Sequence, residues 1–250
     1  MILFLKKIYR SRRRKFKLFW SVNWIKTYYF NYKKFPYSIA KKLPVFFYER
    51  VKFSSIRGNI IIDAPVKKAM IGFGQKYEKS SRSKGIAELV IDGVMTFKGN
   101  VQFGKDVFIY VDSNASCEFG HMSSIASSGR VICKQKITLG TYARLGSEAQ
   151  IIDTNFHQMI DTNTGGKFPL TAPILIGDYN FISNRVTILQ KTITPNYCTI
   201  ASNSLCNKDY LKLGENCMIG GIPAKLLKEN ISRDWKGEKE RMEKVLIINR

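Results

Sequence analysis

Histidine is scarce in this chain of 250 residues: only His121 and His157 occur. That excludes a three-histidine metal centre within one chain, although a trimer could share ligands, and no metal is expected. Cysteine is present five times, at 117, 133, 198, 206 and 217, an odd number with no C-x-x-C spacing. A disulfide framework and a zinc cluster are thereby disfavoured, and reduced, partly buried thiols of a cytoplasmic protein are expected. No apolar run approaches the roughly 18 residues that a spanning helix needs. Met1-Ile2-Leu3-Phe4-Leu5 is cut off by Lys6-Lys7, so no secretory signal is expected either. Acidic residues are few, 19 against 41 Lys and Arg, for a formal net charge of +22. With 44% hydrophobic and 24% charged residues, the chain is nevertheless globular in composition, and its length suits one large domain, or one domain with an appendage.

The positive charge is concentrated. Residues 1–52 hold fifteen Lys or Arg against one acidic residue, Glu49. Such a surface attracts anionic lipid, nucleic acid or acidic glycan alike. Phe16, Phe19, Trp20, Asn23-Trp24 and Thr27-Tyr28 recur at helical spacing behind Arg12, Arg13, Arg14, Lys15 and Lys17. Residues 1–50 are therefore expected to form a basic amphipathic helix followed by a second short helix or loop. Its aromatic face either meets an anionic membrane surface, through residues 1–35, or packs on the rest of the protein. No nucleic-acid motif is visible, and no nucleic-acid partner is expected.

From residue 51 the texture changes to short β-branched runs such as Ile60-Ile61-Ile62, with a polar loop expected over 78–84. From about residue 94 a period of six emerges. One set is Phe97, Phe103 and Ile109; a second is Phe119, Ile125 and Val131; a third is Leu139, Leu145 and Ile151. The fourth is Ile176, Ile182, Ile188, Thr194 and Ile200. Neither a 3.6-residue helix nor a two-residue strand repeat gives six. A chain that runs a short strand, bends and repeats does so, three sides closing one coil around inward aliphatic residues. Small residues such as Gly104, Gly120, Gly140 and Gly146 follow the inward ones and mark the corners. The run breaks at 153–173, a polar stretch containing His157, and a loop thrown out of a solenoid is a natural place for a site. The tail from Ser232, with Trp235, Met242, Val245 and Leu246 among charges, reads as an amphipathic helix.

Three stretches carry a resemblance. They are Ile174 through Asp209, the closing Gly221-Ile222-Pro223-Ala224-Lys225 turn, and Asp153-Thr154-Asn155-Phe156-His157. Together, over roughly 94–230, they resemble the hexapeptide-repeat acyltransferases of the maltose/galactoside and sugar or capsule O-acetyltransferase type. The resemblance implies a mainly β fold, a left-handed parallel β-helix over 51–222 with the inserted loop 153–173. A helical N-terminal segment (1–50) and a helical C-terminal tail (223–250) would flank it. Departures exist: Phe181 stands where the family has Trp, Ser183 where it has Gly, Gln190-Lys191 where it has a Pro-Gly turn, and Pro195 where it has Gly.

The resemblance further implies transfer of an acetyl group from acetyl-CoA to a saccharide hydroxyl, with His157 as general base. Asp153 and Asp161 are the candidates to orient its ring, and the sequence does not choose between them. Asn184, Ser202 and Lys208 would line the path of coenzyme A, with Lys225 and Lys228 near its phosphates. For His121 a structural role is expected. A homotrimer with sites between neighbours is implied, located in the cytoplasm or at the inner face of the membrane. Two alternatives stand beside this reading: N-acetylation of a nucleotide-linked amino sugar, and a non-catalytic β-helix binding or scaffold protein.

Overall fold

A computed structural model describes residues 9, 13, 16, 19–75 and 85–246. The bases Arg12, Arg14, Lys15 and Lys17 and the loop 78–84 lie outside the described residues. The described chain is mostly β, with a helix near each end.

Short strands alternate inward apolar and outward residues. In Ala87–Ile91, for example, Ala87, Leu89 and Ile91 are buried, while Glu88 and Val90 are half-buried. After each strand the chain bends to a new side, and the fourth strand returns against the first. Three parallel sheets result. Side 1 runs from Val45–Phe47 to Met218–Gly221, side 2 from Val51–Ile56 to Leu205–Cys206, and side 3 from Asn59–Ile62 to Ile174–Ile176. Isolated bridges at Ile193 and Asp209 prolong side 3. The chain is thus a three-sided parallel β-helix. Its first strand, Val45–Phe47, pairs with Ile71–Gln75 and lies within the segment expected to be helical.

Every inward position of the six-residue pattern is buried, including Thr194 at 3% exposure. Phe103, Ile125, Leu145, Ile182, Ile200 and Ile219 form one ladder column. Coils near the N-terminus hold stacked rings: Phe47 on Phe73 at 5.3 Å, and Phe73 on Phe103 at 4.3 Å. The pattern slips between sets because earlier coils carry extra residues, Phe103 to Ile125 for example, and a step of three hexapeptides appears on all three sides only in the later coils, from Leu175 to Ile193, Ile182 to Ile200 and Ile188 to Cys206.

Small residues are needed at the corners because neighbouring coils touch there: a Cβ on Gly120 would stand 2.4 Å from the Gly140 carbonyl carbon. The left-handed backbone falls elsewhere, on Met122, Tyr142, Tyr179 and Tyr197 at one corner and Ser128, Glu148, Arg185 and Asn203 at another. Each pair is six residues apart. The tyrosines of the first corner stack, Tyr142 on Tyr179 at 5.2 Å and Tyr179 on Tyr197 at 4.9 Å. Helix Trp235–Leu246 lays Trp235 and Met242 on this ladder beside Met122 and Tyr142. Between the body and this helix comes a strand, Ala224–Lys228, antiparallel to Met218–Gly221 and closing that end of side 1.

At the other end the aromatic stripe is not the buried face. Helical backbone breaks at Val22-Asn23, where Asn23 caps helix Trp24–Lys34 by accepting from the Lys26 N–H at 3.1 Å. The buried residues of this helix are Thr27, Phe30 and Asn31. Asn31 accepts from the Val45 N–H at 3.1 Å and donates to the Val45 carbonyl at 2.7 Å. Thr27 Oγ1 accepts from the Phe47 N–H at 3.1 Å. The helix therefore covers the open edge of the first strand, and Tyr28, Tyr29 and Tyr32 remain about half exposed. Asn31→Leu should lower stability by roughly 2–6 kcal/mol, because two buried backbone groups lose their partners at about 1–3 kcal/mol each. Calorimetry would show it as a drop of several degrees; an unchanged melting temperature would mean the helix does not hold that edge.

Candidate functional site

The loop 153–173 leaves the solenoid between Gln150–Ile152 on side 2 and Ile174–Ile176 on side 3. It is a loose hairpin. Thr154 and Ile160 form antiparallel bridges with Thr171 and Lys167, and the tip turns through Asp161 to Gly166. Phe156, Met159, Ile160 and Phe168 are each about half exposed on it. His157 lies on the outgoing arm, its backbone N–H bonded to the Asn155 carbonyl at 2.7 Å and its ring exposed. Among the described residues nothing hydrogen-bonds to that ring.

Asp153, at the base, is fully buried. Its carboxylate accepts the N–H groups of Lys134, Gln135 and Lys136 at 2.7, 2.8 and 2.8 Å, and the Cys133 thiol lies 3.6 Å from it. These donors occupy both oxygens. The expected orienting contact to His157 is absent, and Asp153 instead clamps the turn of the preceding coil to the root of the loop. Asp161 is also committed: it accepts from Asn163 and Thr164 at 2.8 and 3.1 Å, and these bonds hold its carboxyl below the usual range.

Asn184 and Ser202 occupy one corner on successive coils, two residues past the paired Ile182 and Ile200. The side chain of Asn184 accepts from the Ser147 N–H at 3.0 Å on the coil before. Gly221 stands next in that column, so the hairpin carrying Lys225 and Lys228 lies beside it. Both lysines are exposed. Lys208 sits at the following corner, its ammonium 5.5 Å from the Tyr210 ring centre. The structure thus gathers Asn184, Ser202 and the hairpin at the corner between sides 1 and 2. His157 and Lys208 stand at the corner between sides 2 and 3, with Thr187–Leu189 separating the two corners. One chain does not unite them.

His121 is part of the frame, its Nδ1 accepting from the Asn100 N–H at 3.3 Å. All five cysteines are buried and free. Burial pushes the Cys117 thiol well above its usual range and Cys206 to about 12, so these thiols stay neutral. Sequence reasoning missed two features. Phe181, the departure from Trp, takes the Arg233 guanidinium at 5.0 Å, and the Trp235 ring lies 4.9 Å from the same guanidinium. A basic groove also lies beside helix Trp24–Lys34. Neither could be found from spacing, because the partners are far apart in the chain. Among the described residues no group of three metal-ligating side chains forms, and no helix is long and apolar enough to cross a membrane.

A chain of this architecture is a hexapeptide-coil β-helix protein. No family model and no curated protein matches it. Solved structures similar to it include the polysialic acid-specific acetyltransferase NeuO, 18% identical over 75% of this chain and 88% of that one, with a TM-score of 0.46. Another is the hexapeptide-repeat acetyltransferase VCA0836 of Vibrio cholerae O1 biovar eltor, complexed with acetyl-CoA. It is 21% identical over 53% of this chain and 66% of that one, with a TM-score of 0.38. A third is a point mutant of AntD, an N-acyltransferase from Bacillus cereus, in complex with dTDP and coenzyme A, 10% identical over 84% of this chain and 97% of that one, with a TM-score of 0.36.

Proposed function

We propose that this protein transfers an acetyl group from acetyl-CoA to a hydroxyl of a saccharide, a cell-envelope or capsule glycan, in the cytoplasm or at the inner face of the membrane. The observation that carries the reading is the exposed His157 imidazole, on a loop anchored by a fully buried carboxylate and projecting from a β-helix. The acceptor oxygen attacks the thioester carbonyl as His157 takes its proton. The new C–O bond forms, the C–S bond breaks, and the proton passes to the departing coenzyme A sulfur. Imidazole suits both transfers because its ordinary pKa lies near neutrality.

The separation of His157 from Asn184 and Ser202 within one chain supports a site shared between subunits of a homotrimer. The half-exposed Phe156, Met159, Ile160 and Phe168 give the loop an apolar surface for such a neighbour. The orienting partner of the imidazole then belongs to the neighbour or to the acceptor. Lys225 and Lys228 supply positive charge for the phosphates of coenzyme A.

Acetyl-CoA at about 100 times its dissociation constant should stabilise the protein by roughly 2.7 kcal/mol. Lys225→Ala should shrink the shift at the same concentration. A folded protein whose melting temperature ignores acetyl-CoA would remove the acyltransferase reading and leave the scaffold one.

A further inference from the structure

The amphipathic pattern of helix Trp24–Lys34 is inverted. Its fully buried residues include the polar Thr27 and Asn31, whereas Ile25, Tyr28, Tyr29 and Tyr32 are exposed. Ile25 is 83% exposed, more than any other large apolar side chain among the described residues. A helix lying on a protein in water carries its charged residues on that face instead. The apolar row continues beyond the helix. Trp20 meets Phe19 at 5.7 Å and Phe19 meets Trp24 at 5.0 Å; Tyr28, Tyr32 and Tyr37 follow at 6.1, 6.3 and 6.3 Å between successive ring centres. Trp20 and Tyr37, toward its two ends, are 68% and 71% exposed. A connected apolar surface of this kind marks an interaction site, which scattered exposed side chains do not.

Charge selects the partner. Residues 19–48 carry five lysines and no acid, and residues 1–18, which lead into them, add eight Lys or Arg and again no acid. Glu49, the first acid in the chain, is taken by Lys105. Lys33 and Lys41 stand 5.3 and 5.8 Å from the ring centres of Tyr29 and Tyr37, so ammonium groups are interleaved with the rings. In the basic groove alongside, Lys52 and Arg57 are paired with Glu88 and Asp92, while Lys26 and Lys33 have no carboxylate partner among the described residues. A second copy of this chain would set the same cations against these, which repels it. Nucleic acid would engage the charges and the rings but has no use for Ile25. The interfacial layer of an anionic bilayer suits all three: headgroups for the lysines, the headgroup level for Trp and Tyr, and the acyl boundary for Ile25.

The face is also oriented. Thr27 and Asn31 bond the backbone groups that strand Val45–Phe47 turns away from the next coil. The opposite side of the helix therefore looks along the solenoid axis, away from the coils. Four ladder steps of about 4.8 Å lead from strand Val51–Ile56 to strand Gln150–Ile152, where the His157 loop begins. With a helix about 10 Å across added, the loop root stands roughly 30 Å from the outer face.

We propose that this end of the solenoid, Trp20 with helix Trp24–Lys34, docks on an anionic lipid surface, the helix lying in the headgroup layer with Ile25 deepest. The β-helix then stands upright on the membrane and holds the His157 loop at a set height above it. The docking does not depend on the acetyltransferase reading.

Vesicle co-sedimentation of the full chain tests it, with vesicles of phosphatidylcholine alone or mixed with phosphatidylserine, and with a single-stranded oligoribonucleotide as the competing probe. The mixed vesicles should bind the chain, less tightly as salt rises, and phosphatidylcholine alone should bind it far more weakly. Ile25→Ser with Tyr32→Ser should weaken binding to the mixed vesicles about tenfold or more, because that apolar surface no longer leaves water. Lys33→Ala with Lys41→Ala should weaken it about fivefold for each charge removed. All four side chains are exposed, so the melting temperature and its rise with acetyl-CoA should be unchanged, and failure of docking is distinguishable from failure of the enzyme reading. Equal vesicle binding by the wild type and the Ile25→Ser, Tyr32→Ser variant would overturn the proposal and leave adsorption by charge alone. So would an oligoribonucleotide bound more tightly than the vesicles, which assigns the surface to nucleic acid. A dimer in sedimentation velocity that the same two substitutions split would overturn it as well, and assign the face to a second copy.

Discussion

His157→Ala should lower acetyl transfer by about 10²–10⁴-fold, the contribution of a positioned general base. The ring is exposed and has no hydrogen-bond partner among the described residues, so its removal leaves no buried group unsatisfied. Melting temperature should barely move, and the stabilisation by acetyl-CoA should persist. Steady-state kinetics with a saccharide acceptor, alongside a melting curve, separates the effects: kcat falls and donor binding stays. A variant that transfers normally would place the base elsewhere, and one that unfolds would make His157 a structural residue.

Asp153→Ala is expected to act in the opposite order, first on stability and through it on activity. Three part-buried backbone N–H donors, those of Lys134, Gln135 and Lys136, lose their common acceptor. A fully buried orphaned donor costs about 1–3 kcal/mol, and with water able to reach part of this turn the summed loss is about 2–4 kcal/mol. Denaturant titration checks this directly. The loop root should loosen as well, since the Asp153 carbonyl accepts from the Ala172 N–H at 3.1 Å and the two strands of the hairpin start there. Asp153→Asn, which keeps one acceptor oxygen, should recover part of the stability. If Asp153→Asn kept full stability while transfer collapsed, the carboxylate would be acting on the histidine after all.

The coil architecture was legible because its cause repeats. An inward residue every six positions leaves the same trace from Phe97 to Ile200, and all these positions are buried. The N-terminal segment was less legible. Phe16, Phe19 and Trp20 dominate its pattern yet are more than half exposed, whereas the polar Thr27 and Asn31 are fully buried. Their burial follows from an unpaired strand edge at Val45 and Phe47, and helical periodicity holds no information about that edge. The same holds at the candidate site. Asp153 stood out through the company of His157, but its partners are three backbone N–H groups one coil earlier, which any sequence supplies. The groove joins residues from a helix and a strand, and only their folding together makes four lysine and arginine side chains into a single wall.

The tyrosine ladder bears on how the molecule comes apart. In a plain solenoid each coil is held only by those above and below, so disorder can travel inward from an end, one coil at a time. Here Trp235 lies within 6.1 Å of Tyr142 and 5.7 Å of Tyr179, which stand on successive coils, and Met242 packs in the same cluster with Met122. The C-terminal helix is a splint across several rungs: no rung beneath it can be shed without also losing the splint's hold on the others. The part of the molecule that carries the His157 loop is thereby tied into one all-or-none block.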